Sequence, residues 1–518
     1  MKASSHPPGL YTHAALKLLE HEYSAAWAAR DLDRCVELLG KVLAINPRSA
    51  SALLSLGRIR GVRYEYDEAI EAFEKAVELS PRQQRMKVLV EAGKMSSDFL
   101  DPTIAEAFLT EAIGLAGKTE DAKLALAELS LRIRKREIAK VMVDEVLKSS
   151  PKNAHASLLW CRLHEDRPGD CEARLAGLLQ SQQGELSVKA GYQLARVRDQ
   201  AGDYDGAIQS LNHAKALLMN ARNPIVEHRK KIRARFQELM EGFTVSKRSE
   251  WQTASSQFGE PRKIALLGGH PRSGTTLLEQ VLDSHPGIIS AEETENFNIF
   301  AYSPLMRSHT PLTGILEVMN ACTPAELKAA RQCYFEATDK GLEEAVGSRL
   351  LVDKNPSLTF LAPALFRVFP ETRFVIMIRD PRDVIISCYM QSFFPVDAVS
   401  GNFLTLADTA AEVGSMMGIW SDLAQRLEGI VCEVRYENMV EDLESEARKV
   451  LDFLGLEWSD AVMNYDTHAR EKIVRSPTAE AVTEKVHKRA MERWKNYQKH
   501  LEPVCDQLAP CLSALGYI

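Results

Sequence analysis

Ile264-Ala265-Leu266-Leu267-Gly268-Gly269-His270-Pro271-Arg272-Ser273-Gly274-Thr275-Thr276 is the stretch whose reading decides the fold. Its four leading apolar residues make a short buried strand. A glycine-rich turn follows, and Thr275 to Leu282 has helical spacing until Ser284-His285-Pro286-Gly287 ends it. Strand, tight turn and helix in that order build an anion cradle. The N–H groups of the turn point inward, and the helix N-terminus adds partial positive charge.

Read as G-x-x-x-x-G-x-T, Gly269 to Thr276 departs from a Walker A loop at one decisive position. Thr275 stands where a Lys would reach the β- and γ-phosphates of a nucleoside triphosphate. With Arg272 inside the loop, a shorter anionic group is expected. The run P-R-S-G-T-T-L resembles the phosphosulfate-binding loop of sulfotransferases, whose donor is 3′-phosphoadenosine 5′-phosphosulfate. That resemblance implies that Arg272, Ser273, Gly274, Thr275 and Thr276 hold the 5′-phosphosulfate.

Length and composition set the outer limits. A chain of 518 residues can bury the cores of two or more domains. Its net charge of −7 gives no electrostatic case for nucleic acid. The nine cysteines form no CxxC pair and fit free thiols in a reducing compartment. Met1-Lys2-Ala3-Ser4-Ser5-His6-Pro7-Pro8 is followed by no apolar signal core, and no run is long enough to span a membrane. A cytoplasmic protein with no membrane partner is expected. No His, Asp or Glu cluster has ligand spacing, so no metal is expected.

Residues 12 to 220 are periodic. Pro81 follows Pro47 by 34 residues, and Pro151 lies 70 further on. Between the first two, Leu53, Leu56, Gly57, Ala69, Phe73 and Ala76 fall on the tetratricopeptide pattern. Small Gly57, Ala69 and Ala76 let two antiparallel helices approach, and Leu53, Leu56 and Phe73 fill the space between them. The set recurs at Leu89, Ala92, Gly93, Ala105, Leu109 and Ala112. It returns at Leu126, Ala127, Ala139, Val143 and Val146, and again at Leu194, Ala195, Ala207, Leu211 and Ala214. Five or six tandem repeats are expected, forming an α-solenoid over residues 1–242. Its groove is suited to a protein or peptide partner, or it is a scaffold. The basic stretch Arg229-Lys230-Lys231-Ile232-Arg233-Ala234-Arg235 reads as a capping helix with a solvated face. Residues 243–262 read as a linker, and 263–518 as the second domain.

In that domain short β-rich runs at Ile288-Ile289, Leu350–Val352, Phe374–Ile378 and Ile430–Val434 alternate with helices. A parallel sheet with its ligand at the carboxyl ends of the strands is expected. The motifs at those ends extend the resemblance to residues 264–500, and overall this half resembles tyrosylprotein sulfotransferases and their bacterial relatives. In Ile378-Arg379-Asp380-Pro381-Arg382-Asp383, Arg379 and the Ser387 eight residues on match the pair that binds the donor 3′-phosphate. Arg382 and Asp383 read as a surface ion pair. In Ala291-Glu292-Glu293-Thr294, Glu293 matches the catalytic base, whereas Glu292 reads as a surface residue. His270 and His285 read as structural. In Asp353-Lys354-Asn355-Pro356, Lys354 matches the lysine at the oxygen bridging phosphate and sulfonate. Tyr436, Ser476 and Arg493 match donor-contact positions, and Trp494 reads as a packing anchor. Lys485 and Lys488-Arg489 depart from the family pattern.

The expectation is thus a tetratricopeptide solenoid followed by a P-loop-type α/β sulfotransferase domain that transfers a sulfonyl group to an acceptor hydroxyl. The acceptor is a peptide tyrosine or a small molecule. The animal enzymes of this family are membrane-anchored, and this sequence shows no such anchor, which leaves the tyrosine acceptor open. Two other classes stay in view: a P-loop nucleotide phosphotransferase or kinase, and a non-catalytic repeat adaptor.

Overall fold

A computed structural model describes residues 8–115, 117–181, 184–392, 400–471 and 481–518. The chain divides into two compact units, Met1–Leu175 and Ala176–Ile518.

The first unit is built of antiparallel helical hairpins. Ala50–Val62 packs on Tyr66–Glu78, Arg85–Ser96 on Pro102–Gly114, and Glu120–Arg132 on Arg136–Ser149. Side-chain size drives the pairing. A Cβ on Gly57 would stand 2.8 Å from the Phe73 ring, and one on Gly93 would stand 2.7 Å from Leu109 Cγ. Helices approach this closely only where one of them lacks a side chain. Ala69, Phe73, Ala76, Leu89, Ala105, Leu109 and Ala112 are buried together. Helix starts are capped: Ser49 Oγ accepts the Ala52 N–H at 3.3 Å, and Asp101 accepts that of Thr103 at 2.8 Å.

The second unit begins inside the periodic region, which corrects the expected boundaries at 242 and 262. It includes the hairpin Glu185–Gln200 and Tyr204–Ala216, the long helix Met219–Gly242, and the helix Val245–Ala254. The reason lies in apolar residues scattered among polar ones. Leu239, Met240, Phe243, Trp251 and Phe258 enter the main core, and Trp251 is 1% exposed. Ser246, Ser249, Ser256, Gly259 and Pro261 of the expected linker lie on the solvent side of packed structure.

Among the described residues five parallel strands form the sheet: β1 (Ile264–Gly269), β2 (Ile288–Ser290), β3 (Leu350–Lys354), β4 (Arg373–Ile378) and β5 (Val431–Arg435). Their order is β2-β3-β1-β4-β5. Alternating side chains serve two cores, as the period of a strand demands. Leu266, Leu351, Phe374 and Ile376 pack with Phe243, Trp251, Tyr334 and Phe366 on one face. Ala265, Leu267, Val352, Val375 and Met377 pack with Leu278, Val281 and Leu282 on the other. Register places Leu267 beside Lys354 and Gly269 beside Met377. The carboxyl ends of β3, β1 and β4 therefore emerge side by side, the position where open α/β sheets hold ligands. Among the described residues no helix is long and apolar enough to cross a membrane.

Candidate active site

The loop after β1 is shaped by backbone that approaches its neighbours too closely for side chains. A Cβ on Gly268 would meet Ile376 Cδ1 and Thr359 Oγ1, both at 2.8 Å. Gly269 has φ +126° and would clash with the Met377 carbonyl at 2.5 Å; Gly274 has φ +102° and would clash with the Tyr436 ring at 2.5 Å. The Gly269 N–H donates to Thr359 Oγ1 at 3.0 Å, and Ser273 Oγ donates to the His270 carbonyl at 2.6 Å. Arg272 itself holds φ +72°, a conformation that costs a non-glycine residue energy and concentrates at ligand sites. The helix Thr275–Asp283 then starts from Gly274, so its first amides face the loop.

Three guanidinium groups gather beside this loop. Arg272 donates through Nε to Ser387 Oγ at 3.0 Å, and Arg379 donates through Nη1 to the Arg272 carbonyl at 2.9 Å. Arg379 lies 4.6 Å above the Tyr436 ring. Burial, and then the like charges of Arg379 and Arg493, hold the Arg272 guanidinium below its usual value. Arg379 Nε is buried with no hydrogen-bond partner among the described residues. Crowded cations with an orphaned donor are what an anion with several oxygens would satisfy.

Two turns bring a buried lysine and a half-exposed glutamate together. Lys354, at the end of β3, is 1% exposed. It donates to Glu293 Oε1 at 2.6 Å and lies 3.2 Å from Glu279 Oε2, a carboxylate from the loop helix that is 0% exposed. Ser290 Oγ donates to the other Glu279 oxygen at 2.6 Å and accepts the Glu292 N–H at 3.1 Å. Glu292 takes the left-handed turn position, with φ +54°, which presents Glu293 toward Lys354 with its side chain half exposed. Asn355 Nδ2 donates to the Thr294 carbonyl at 2.9 Å and joins the two turns.

The neighbouring carboxylates sort differently from the sequence reading. Arg382 forks onto Asp380, with Nη2 to Oδ2 at 2.7 Å. Asp383 is buried rather than a surface partner of Arg382; it lies 3.8 Å from Arg379 and accepts the Trp494 N–H at 2.8 Å. Burial pushes its carboxyl up to about 6. The first turn of the helix Pro381–Met390 turns Asp383 inward, four residues beyond Arg379. Trp494 is an anchor, with the Arg382 guanidinium 3.9 Å over its ring. His270 and His285 are buried, and each has a backbone carbonyl, of Pro271 and Glu457, within hydrogen-bond distance.

The structure thus brings together Arg272, Ser273, Gly274, Thr275, Thr276, Arg379, Ser387 and Tyr436 around the loop, and Lys354 with Glu293 beside it. Arg493 stands near enough to act on Arg272 electrostatically. Ser476 lies outside the described residues. Sequence reasoning missed Glu279, Thr359 and the inward Asp383. The signal for Glu279 was present: it follows Thr275 by four residues, one helical turn. Thr359, in a short helical turn far from the loop in sequence, carried none. Among the described residues no group of three or more His, Cys, Asp or Glu side chains is arranged to hold a metal.

Residues 265–460 match the Sulfotransferase family. This chain carries a sulfotransferase-family domain. Residues 63–83 match a tetratricopeptide repeat, which supports that motif for one segment of the helical array. Protein-tyrosine sulfotransferase 2 of Gallus gallus is 28% identical over 50% of this chain and 71% of its own length. An uncharacterized protein of Aquifex aeolicus (strain VF5) is 28% identical over 62% of this chain, and the match spans only 41% of that relative. A solved sulfotransferase domain from the Synechococcus PCC 7002 olefin synthase is 22% identical, covering 46% of this chain and 88% of its own, with a TM-score of 0.32.

Proposed function

We propose that this chain is a sulfotransferase that moves a sulfonyl group from 3′-phosphoadenosine 5′-phosphosulfate to an acceptor hydroxyl. The observation that carries the reading is Lys354, buried between Glu293 and Glu279 at the lip of a loop crowded with guanidinium groups. The residues fit a ligand with two separated anionic groups. Arg272 and the Ser273–Thr276 turn would hold the phosphosulfate, and Arg379, Ser387 and Arg493 the 3′-phosphate, with Tyr436 walling the loop. When bound, the donor supplies an electrophilic sulfur and a phosphate leaving group.

The chain's own residues do the rest. Glu293 accepts the acceptor's hydroxyl proton as its oxygen bonds to sulfur. The bond from sulfur to the bridging oxygen breaks, and Lys354 stabilises the charge that returns to that oxygen. Glu279 keeps the ammonium in place when Glu293 turns to the acceptor. Catalysis is then mainly positioning and electrostatics. A peptide tyrosine is the acceptor class that the names of the animal relatives support, and a partner peptide in the repeat groove fits the same reading. A nucleotide kinase is disfavoured by Thr275 at the lysine position.

Calorimetric titration with 3′-phosphoadenosine 5′-phosphate, ATP and 5′-AMP tests the donor. The bisphosphate is expected to bind tightest, with affinity lost by about tenfold or more in Arg379→Ala. Glu293→Gln is expected to lower turnover on a tyrosine peptide or a phenol by about a hundredfold or more while bisphosphate affinity holds. ATP binding as well as the bisphosphate would sink the reading.

A further inference from the structure

The hairpin Glu185–Gln200 and Tyr204–Ala216 carries the last clear copy of the repeat pattern, yet it makes polar ties to the sulfotransferase domain through residues that the pattern does not specify. Asp199, in the last turn of its first helix, accepts a hydrogen bond from Arg493 Nη2 at 2.6 Å and another from the Tyr497 hydroxyl. The Asp199 side chain is 15% exposed. Tyr204 meets Tyr497 edge to face, with ring centroids 5.2 Å apart. On the second helix, Asn212 accepts the Tyr389 hydroxyl at 2.5 Å. Lys215, 1% exposed, donates to the Phe403 carbonyl and lies 4.2 Å over the Tyr389 ring.

Besides the Ser400–Phe403 turn, which holds the Phe403 carbonyl, two elements receive these ties. One is the Pro381–Met390 helix, which carries Ser387. The other is the turn Arg493–Tyr497, which carries Arg493. The two are also joined to each other by the Trp494 N–H on Asp383 and by Arg493 Nη2 at 2.9 Å from Met390 Sδ. An arginine brings long, rotamer-rich geometry that must be frozen before its planar fork can read a phosphate. A carboxylate on one edge of the guanidinium freezes it and leaves its remaining N–H donors for a ligand. Asp199 is that carboxylate, and its oxygens are already shared between Arg493 and Tyr497, which fixes the turn as well as the side chain.

We propose that Asp199, supplied by the repeat hairpin, is a positioning residue for Arg493 and through it for recognition of the donor's 3′-phosphate. The proposal rests on the sulfotransferase reading above. It makes the hairpin part of the donor pocket, so the repeat region contributes to nucleotide selection.

The test is titration calorimetry of the full chain with 3′-phosphoadenosine 5′-phosphate and with 5′-AMP, which lacks the 3′-phosphate. The ratio of the two affinities is the readout. Asp199→Asn, close to isosteric, is expected to cut the ratio about tenfold or more by weakening the bisphosphate, with AMP held within about twofold. Asp199→Glu, which restores the charge, is expected to return it to within about threefold of wild type. Asp205→Asn, which removes the hairpin's exposed partner of Lys499 and His500, should leave it within about twofold. In an Arg493→Ala background, Asp199→Asn should add less than about twofold, because the two act as one unit. An unchanged ratio in Asp199→Asn, an equal loss of both nucleotides, or an equal effect of Asp205→Asn overturns the proposal. If Asp199→Asn does not fold, Arg493→Ala decides, since an unchanged ratio there leaves Asp199 nothing to position. A wild type without preference for the bisphosphate would instead overturn the sulfotransferase reading itself.

Discussion

Asp353 and Lys354 are adjacent, yet strand alternation sends them to opposite faces of the sheet and to opposite fates. Lys354 turns to the carboxylates of the loop. Asp353 enters the core, where Tyr334 donates to it at 2.7 Å and burial raises its carboxyl from 3.8 to about 7. Between about pH 4 and pH 7 the folded chain keeps a proton that the unfolded chain releases, so stability falls as pH rises through that window. Asp353→Asn, which still accepts the Tyr334 hydroxyl, removes the dependence. Its melting temperature relative to wild type is expected to rise from pH 5 to pH 8, reaching an advantage of about 3 °C or more. A difference that stays constant with pH would show that Asp353 does not carry it. From sequence, the D-K-N-P run announced the lysine but not the buried acid, because a motif does not say which face of a strand each member takes.

At the scale of elements, the loop after β1 was legible because its shape depends on residues that have no alternative. Gly274 combines φ +102° with a Cβ position 2.5 Å from Tyr436. Gly274→Ala is therefore expected to destabilise the chain by about 1–3 kcal/mol and to weaken bisphosphate binding by about tenfold or more. Thermal melts and calorimetry check both, and a variant as stable and as tight-binding as wild type would refute the strain argument. The strands were legible for a related reason: buried parallel strands are short apolar runs, and each expected run lies in the sheet with its ends within two residues of the strand's. What the sequence hid were contacts across long separations. Thr359 on Gly269, Trp494 on Asp383 and Asp199 on Arg493 leave no periodic trace, since each is a single polar atom placed by the whole fold.

Across the whole molecule, the compact units part at Leu175 and Ala176 rather than where the repeat pattern ends. A fragment of residues 176–518 is expected to fold and to keep bisphosphate affinity within about threefold of the full chain. A fragment of 263–518 would strip Leu239, Phe243, Trp251 and Phe258 from the core and is expected to be insoluble or to melt far lower. Equal stability of the two fragments, read by thermal melts, would overturn this division. Repeat periodicity misled here because it registers how helices pair, and a hairpin can pair well internally while its outer face serves another unit.

The tie between Asp199 and Arg493 also limits how such a chain can be recombined. Helical arrays are readily lengthened, shortened or exchanged, since each hairpin needs only its neighbours. Here the freely exchangeable part stops before the hairpin at 185–216, which belongs to the same compact unit as the sheet. A chimera spliced upstream of Ala176 keeps Asp199 paired with Arg493; one spliced at the end of the repeats carries a foreign residue at the position of Asp199.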